Sequence, residues 1–176
     1  MAITTDIVDS YRAPGRVLRR QLSRGANEGR ALMLLMLGCA MMFVAQWPRL
    51  SREAALDPDV PREALFVAAL NGWIFIMPIL LYLLAPVPHL IAKGFGGKGS
   101  WFDARMALFW AIVAASPVWL FQGIVAGFLG AGLVKTVLAL VAIGAFFYIW
   151  VGGVREAEWP RNAAPGPNPE EPRQPT

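Results

Sequence analysis

The amino-acid sequence predicts an all-α, polytopic membrane protein, with four transmembrane helices and an amphipathic surface helix before the first of them. Hydrophobic side chains make up 56% of the 176 residues and charged ones only 16%, whereas soluble domains have about 45–50% and about 25%. A soluble core cannot bury this excess at this chain length. The apolar residues also gather into four long runs separated by polar, proline-rich or glycine-rich stretches, which is typical of helices that cross a bilayer.

Composition divides the chain into three parts. Residues 1–30 are polar and are predicted to form a cytoplasmic N-terminal segment, and residues 31–155 contain the four apolar runs. Residues 156–176 are rich in proline and charge and lack large apolar side chains near the end. Such a segment cannot bury enough surface to offset its chain entropy, so a disordered tail is predicted there.

The N-terminal segment contains a helical pattern over residues 14–24. Leu18 and Leu22 share one face, and Pro14 suits a first helical turn. Four arginines occupy the other face: Arg16, Arg19, Arg20 and Arg24. We expect this helix to lie on the membrane surface and to bind anionic lipids, to which each basic residue contributes about 1 kcal/mol. The alternative is a solvated helix that serves only as a topology signal.

The first two spans are predicted over residues 31–47 and 64–85, with a short external loop between them. The first is closed by Trp47 and Pro48, and it is short for a bilayer unless the helix begins near Asn27. Pro78 predicts a kink in the second span. Asn71 is a polar residue at membrane depth, where an interhelical hydrogen bond is the favoured interpretation and a transport or binding site the alternative.

Residues 86–101, with the sequence PVPHLIAKGFGGKGSW, form a polar hinge between the second and third spans. The two prolines are expected to end the preceding apolar run, and the glycines permit a turn that other residues resist. Lys93 and Lys98 indicate a cytoplasmic turn, because short cytoplasmic loops are enriched in basic residues. A loop selected for topology alone is the alternative interpretation.

The third and fourth spans are predicted from about residue 103 to 126 and from 133 to about 154. Pro117 should bend the third span. Gly123 and Gly127 form a GxxxG pair that could serve as a packing face. Asp103 can cap the start of the third span or pair with Arg105 or Lys98.

The hinge and the proline-containing helix after it resemble bacterial proteins with the Yip domain (Ypt-interacting protein, Yip-one type). That family pairs a His-Leu-x-x-Lys helix end with a Gly-Gly-Lys-Gly-Ser-aromatic turn. The resemblance is close over the hinge and loose over residues 10–154, and these residues carry it: His89, Lys93, Gly96, Gly97, Lys98, Gly99, Ser100 and Trp101. It implies a non-enzymatic membrane scaffold or interaction protein. Eukaryotic relatives bind small GTPases and take part in membrane trafficking.

The basic residues predict the orientation. Four spans place both termini on one side, which holds twelve basic residues, while the other side holds four: Arg49, Arg52, Arg62 and Lys135. Basic residues concentrate on the cytoplasmic side. We therefore expect a multi-pass protein of the bacterial inner membrane with cytoplasmic N and C termini.

No motif in the sequence indicates catalysis. The chain has one His and one Cys, and it lacks the spacings of hydrolase, metalloprotease, P-loop and dinucleotide sites. His89 fits an interfacial or helix-capping role. We expect no enzyme activity, cofactor, metal or nucleic-acid partner.

Three functions remain open at this stage: a membrane scaffold or interaction protein, an accessory subunit or assembly factor of a larger complex, and a small transporter or lipid-handling protein. The expected partners are anionic lipids of the cytoplasmic leaflet and another membrane protein or a second copy of the chain.

Overall fold

A computed structural model describes residues 3–57, 59, 61–130 and 132–159 of the chain. Within this part the secondary structure is helical, without strands. The elements are α1 (Ile3–Arg12), α2 (Pro14–Leu22), α3 (Glu28–Leu56), α4 (Arg62–Asn71), a π-helical turn (Gly72–Ile76), α5 (Met77–Leu84), α6 (Pro86–Gly94), α7 (Trp101–Leu129) and α8 (Leu133–Glu158). Helix α8 continues to Glu158, so residues 156–158 of the segment predicted to be a disordered tail, 156–176, are helical and buried, and residues 160–176 lie outside the described residues.

Four helices in the described part are long and apolar enough to cross a membrane: Glu28–Leu56, Arg62–Gly94, Trp101–Leu129 and Leu133–Glu158. The predicted all-α fold with four spans is confirmed. Helix α3 begins after Asn27, whose side chain caps it by accepting a hydrogen bond of 3.0 Å from the backbone N–H of Arg30. This earlier start adds the length that the predicted first span lacked.

Two other predicted helix ends are wrong. Helix α3 continues through Pro48 to Leu56, and an ion pair of 3.0 Å between Arg49 and Glu53 lies on its last turns. The second span likewise does not end at Pro86: only Ala85 separates α5 from α6, which continues to Gly94. Pro86 is tolerated there because it occupies the first position of α6, where a missing N–H costs little. The turn between the second and third spans is therefore shorter than predicted, residues 95–100.

Helix α7 is the centre of the bundle. From Met106 to Ser116 its residues are buried, in contact with α3 on one side and α8 on another, and with α1 and α2 as well. Farther along α7, Gly123 and Gly127 face the backbone of α3. A Cβ atom at Gly123 would overlap the carbonyl of Ala45, and one at Gly127 would overlap Pro48. These two glycines allow α3 and α7 to approach closely.

The two N-terminal helices belong to the folded bundle. In α2, Val17 and Leu18 are almost fully buried in the main hydrophobic core, and the helix packs mainly on α8. Gly152 of α8 makes this contact possible, since a Cβ atom there would lie 2.5 Å from Cγ of Pro14. The apolar face of α2, which the sequence suggested for the membrane surface, thus packs against protein. Helix α1 was not predicted.

The end of the bundle formed by α1, α2, residues 95–100 and the C-terminal turn of α8 is called the hinge end below. Its polar contacts join segments that are distant in the sequence. The opposite end, where α3 meets α4 and α7 meets α8, is held by fewer such contacts. One of them is Arg52, which donates hydrogen bonds of 3.3 Å each to the carbonyls of Gly127 and Phe128.

Candidate functional site

The polar centre of the hinge end is Glu158, the last residue of α8. Its side chain is fully buried. A hydrogen bond of 2.8 Å joins Oε1 of Glu158 to Nδ1 of His89, and Oε2 accepts a hydrogen bond of 3.1 Å from the backbone N–H of Gly99. A buried carboxylate is costly unless it is hydrogen-bonded. Here both oxygens have partners, and both partners come from the segment that resembles the Yip family.

The glycines of the turn fit around this carboxylate. The backbone N–H of Gly97 bonds to the Ala92 carbonyl (2.8 Å), and that of Lys98 bonds to the Glu158 carbonyl (2.9 Å). A Cβ atom at Gly97 would lie 2.7 Å from Oε2 of Glu158, and one at Gly99 would lie 2.8 Å from the same atom. Both positions therefore need glycine for space. Gly96 needs it for conformation, because its φ angle is +80°.

The turn passes directly into the capped start of α7. The Ser100 hydroxyl accepts a hydrogen bond from the backbone N–H of Asp103 (3.2 Å), and the Asp103 carboxylate accepts one from the backbone N–H of Ser100 (3.0 Å). This reciprocal pair is a capping box. Asp103 was predicted either to cap α7 or to pair with Arg105 or Lys98, and in the structure it caps α7. Arg105 instead pairs with Glu28 at 2.5 Å.

The structure brings together five of the eight residues that carry the resemblance. His89, Gly97 and Gly99 lie against Glu158, the Trp101 ring lies 4.6 Å from the His89 ring, and Ser100 caps α7 beside them. Three residues have another position: Lys93, Gly96 and Lys98 are exposed. The motif thus has one half that builds the turn, in which His89 is buried, and an exposed half that consists of Lys93, Gly96 and Lys98.

A second buried carboxylate, that of Asp6, ties α1 to α2. It is 1% exposed and forms an ion pair of 2.7 Å with Arg20, with Arg24 at 3.9 Å. Its other oxygen accepts a hydrogen bond of 3.0 Å from the side-chain amide of Gln21. Arg20 also lies 3.5 Å from Asp9. Two of the four arginines predicted to bind lipid are therefore paired with carboxylates of α1.

Helix α1 also bonds directly to the centre of the bundle. The indole N–H of Trp110 donates to the Ser10 hydroxyl (2.9 Å), and the Tyr11 hydroxyl donates to the Ala114 carbonyl (2.8 Å). Burial raises the pKa of the Tyr11 hydroxyl, so this donor stays protonated at neutral pH. Pro117 has no N–H to donate to the Val113 carbonyl, which precedes this acceptor in α7. Ser116 caps the neighbouring Val113 carbonyl at 2.8 Å.

The remaining two predicted lipid-binding arginines lie near α8. Arg19 forms an ion pair of 2.6 Å with Glu156, a carboxylate that is itself mostly buried. Arg16 is exposed and lines a cavity of about 820 Å³ between the α1–α2 corner and the last turns of α8.

The predicted helix-packing residues lie in two different environments. Pro117, Gly123 and Gly127 are on the central helix α7. Pro78 follows the π-helical turn of the second span and is buried, which fits local adjustment of the helix around a missing N–H. Asn71 differs from expectation: it is exposed and donates a hydrogen bond of 2.9 Å to the Val67 carbonyl of its own helix, instead of bonding to another helix.

Sequence reasoning missed Glu158, Glu156 and Asp6. One signal could have pointed to the first two. Acidic side chains in the last turn of a helix oppose its dipole, so two glutamates at the end of a long apolar helix suggest compensating partners. Asp6 has no comparable signal, because its partners follow from the fold of α1 against α2.

Comparisons with known proteins identify no relative of this chain. No family model matches the chain, and neither curated proteins nor solved structures show a match. In the described part of the chain, no group of three or more His, Cys, Asp or Glu side chains is arranged to hold a metal ion.

Proposed function

We propose that this chain is a non-enzymatic, multi-pass protein of the bacterial inner membrane that acts as a scaffold or interaction partner. Its hinge end faces the cytoplasm, in agreement with the excess of basic residues among the N-terminal segment, the hinge and the C-terminal segment. The observation that carries the proposal is the network around Glu158. That network holds one fixed turn, and two exposed lysines lie at it, Lys93 in the last turn of α6 and Lys98 in the turn itself.

The chemistry of the network supports a structural role for the motif. His89 is hydrogen-bonded to Glu158, and Ser100 and Asp103 bond to each other as a helix cap. Each of these side chains thus has a partner within the chain that stabilises the turn. The resemblance to the Yip family, whose eukaryotic members bind other proteins, agrees with an interaction role for the exposed half.

Crosslinking in native membranes tests this proposal. A photo-crosslinking residue is placed at Lys98 and, as a control, at Leu133, which is 79% exposed at the opposite end. We expect a discrete protein adduct from position 98 and none from position 133. Glu158→Gln, which weakens the support of the turn, should reduce the adduct while the protein remains in the membrane. Equal labelling from both positions, or an adduct indifferent to Glu158, would contradict the proposal.

A second candidate, an accessory subunit of a larger membrane complex, is favoured by a separate observation. Only 6% of the most apolar window of the Arg62–Gly94 span is buried within the chain, so this span leaves a long face for lipid or for another membrane protein. A crosslinker at Leu83, which is 70% exposed, separates the two functions. An adduct from position 83 supports a subunit that docks through its second span, and an adduct from position 98 alone supports the scaffold.

The third function, transport, gains no support from two of the polar residues at membrane depth, Asn71 and Ser116. Asn71 and Ser116 each donate to a carbonyl of their own helix, as side chains do when they satisfy the backbone around them. Asn71 is exposed, whereas Ser116 is buried in α7. These two side chains therefore do not line one polar route through the bundle.

A further inference from the structure

The cavity between the α1–α2 corner and α8 is strongly basic. Four arginines line it: Arg12, Arg16, Arg19 and Arg155. Among the residues that line it, Glu156 is the one carboxylate, and it is paired with Arg19 at 2.6 Å. Within the described part of the chain, no carboxylate forms an ion pair with Arg12, Arg16 or Arg155. The described residues therefore leave an excess of positive charge in the cavity.

An apolar groove of about 260 Å³ adjoins this cavity between α6 and α8. Ile91 and Val151 line it and are 57% and 44% exposed. Arg155 and Trp159 line both the groove and the basic cavity, so the two spaces meet at these side chains. Trp159 has the amphipathic ring that is typical of the membrane–water interface.

We infer that the cavity and the groove together form a binding site for one anionic glycerophospholipid. Its phosphate lies among Arg12, Arg16 and Arg155, and one acyl chain follows the groove between α6 and α8. Guanidinium groups match phosphate geometry through paired N–H donors. A soluble anion would use the arginines alone and would leave the groove empty. The site is separate from Lys93 and Lys98, so it does not depend on the proposed protein partner.

The headgroup is tested by native mass spectrometry of the purified chain in detergent. Dioleoyl phosphatidylglycerol and dioleoyl phosphatidylcholine are titrated, and the apparent Kd for the first bound lipid is measured. We expect the anionic lipid to bind at least about tenfold more tightly. Arg16→Gln combined with Arg155→Gln should weaken its binding roughly 10- to 30-fold.

The matched control is Lys93→Gln combined with Lys98→Gln, which removes the same charge from the same end without touching the cavity. The lysine pair should leave the Kd for phosphatidylglycerol within about twofold. If both double variants weaken binding equally, or if the two lipids bind alike, the attraction is a general surface effect and the site is overturned.

The acyl-chain part is tested on the unaltered protein, so that no folding defect can obscure it. Dihexanoyl phosphatidylglycerol, which is too short to follow the groove, should bind at least about tenfold more weakly than the dioleoyl lipid. Val151→Trp, which fills the groove, should remove most of that difference. Inorganic phosphate should fail to displace the long-chain lipid. Equal binding of short and long chains, or displacement by phosphate, would reduce the site to an anion cavity and overturn the lipid assignment.

Discussion

The four spans fall into two pairs. One pair has the lower mean hydropathy and the greater burial, and the other pair has the higher mean hydropathy and the smaller burial. Helices α3 and α7 have the lower mean hydropathy, yet 39% of the most apolar window of each is buried. The Arg62–Gly94 span and α8 have the higher mean hydropathy, and only 6% and 17% of theirs is buried. Lipid tails are as apolar as leucine, so a large side chain gains nothing by moving from lipid into the bundle. High hydropathy in this chain therefore marks the lipid-facing helices.

Small residues distinguish the central pair. The buried half of α7 includes alanines that are at most 2% exposed: Ala104, Ala107, Ala111, Ala114 and Ala115. On the other half, Gly123 and Gly127 contact the backbone of α3. Close approach between helices supplies the packing that holds them together where the hydrophobic effect cannot. The second span lacks such a surface and lies at the periphery.

The largest effect is expected at the contact between α3 and α7. Gly123→Val places a side chain where even a Cβ atom overlaps the Ala45 carbonyl, and it should destabilise the bundle by about 3 kcal/mol. Gly144→Val on the lipid-facing helix α8 is the matched control, because nothing lies within 4 Å of a Cβ atom there. Unfolding in mixed detergent micelles measures both. Equal losses would mean that α7 is no more closely packed than α8.

The next effect concerns the buried carboxylate that joins α8 to the hinge. Glu158→Ala leaves His89 and the Gly99 N–H without their partner, and we expect a loss of about 2–3 kcal/mol. Glu158→Gln keeps an acceptor and should cost less. Glu63→Ala, on the exposed first turn of the second span, should change stability by less than about 0.5 kcal/mol. Thermal melting of the three variants ranks them, and a neutral Glu158→Ala would show that the network contributes no stability.

A smaller effect is expected where α1 meets α7. Ser10→Ala removes the acceptor of the buried Trp110 indole N–H and should cost about 1–2 kcal/mol. Thr5→Ala is the control on the exposed face of the same helix and should be nearly neutral. Hydrogen exchange of α1 reports the change locally, with faster exchange expected only in the Ser10 variant. Similar exchange in both variants would contradict the docking of α1 onto α7.

The smallest effect is expected in the second span. Asn71 is exposed and bonds within its own helix, so Asn71→Leu should change stability by less than about 0.5 kcal/mol. A loss above about 1 kcal/mol would reveal a buried partner for Asn71. Because the described residues offer none, that partner would be sought in another subunit, and the contrast between the two pairs of spans would then apply to the single chain only. Unfolding measured at two protein concentrations separates these cases.

Local patterns in the sequence predicted much of the fold. Apolar runs identified the four spans, the pattern over residues 14–24 identified α2, and Asp103 was recognised as a possible cap of α7. Helix ends were less predictable. Pro48 and Pro86 interrupt backbone hydrogen bonding, yet the helices continue past both, because packing and the position of a proline within a turn decide whether a helix ends there.

The sequence by itself determined the membrane class, the number of spans and the place of the turn between the second and third, since these depend on hydrophobicity and backbone preferences that act over a few neighbouring residues. Only the tertiary structure decided which polar groups meet. Glu158 lies within the segment that was predicted to be a disordered tail, but it is helical and buried against His89, 69 residues earlier. Trp110 finds its acceptor 100 residues away in Ser10. A buried polar group must find a partner wherever the fold provides one, and no local pattern encodes a pairing across such separations.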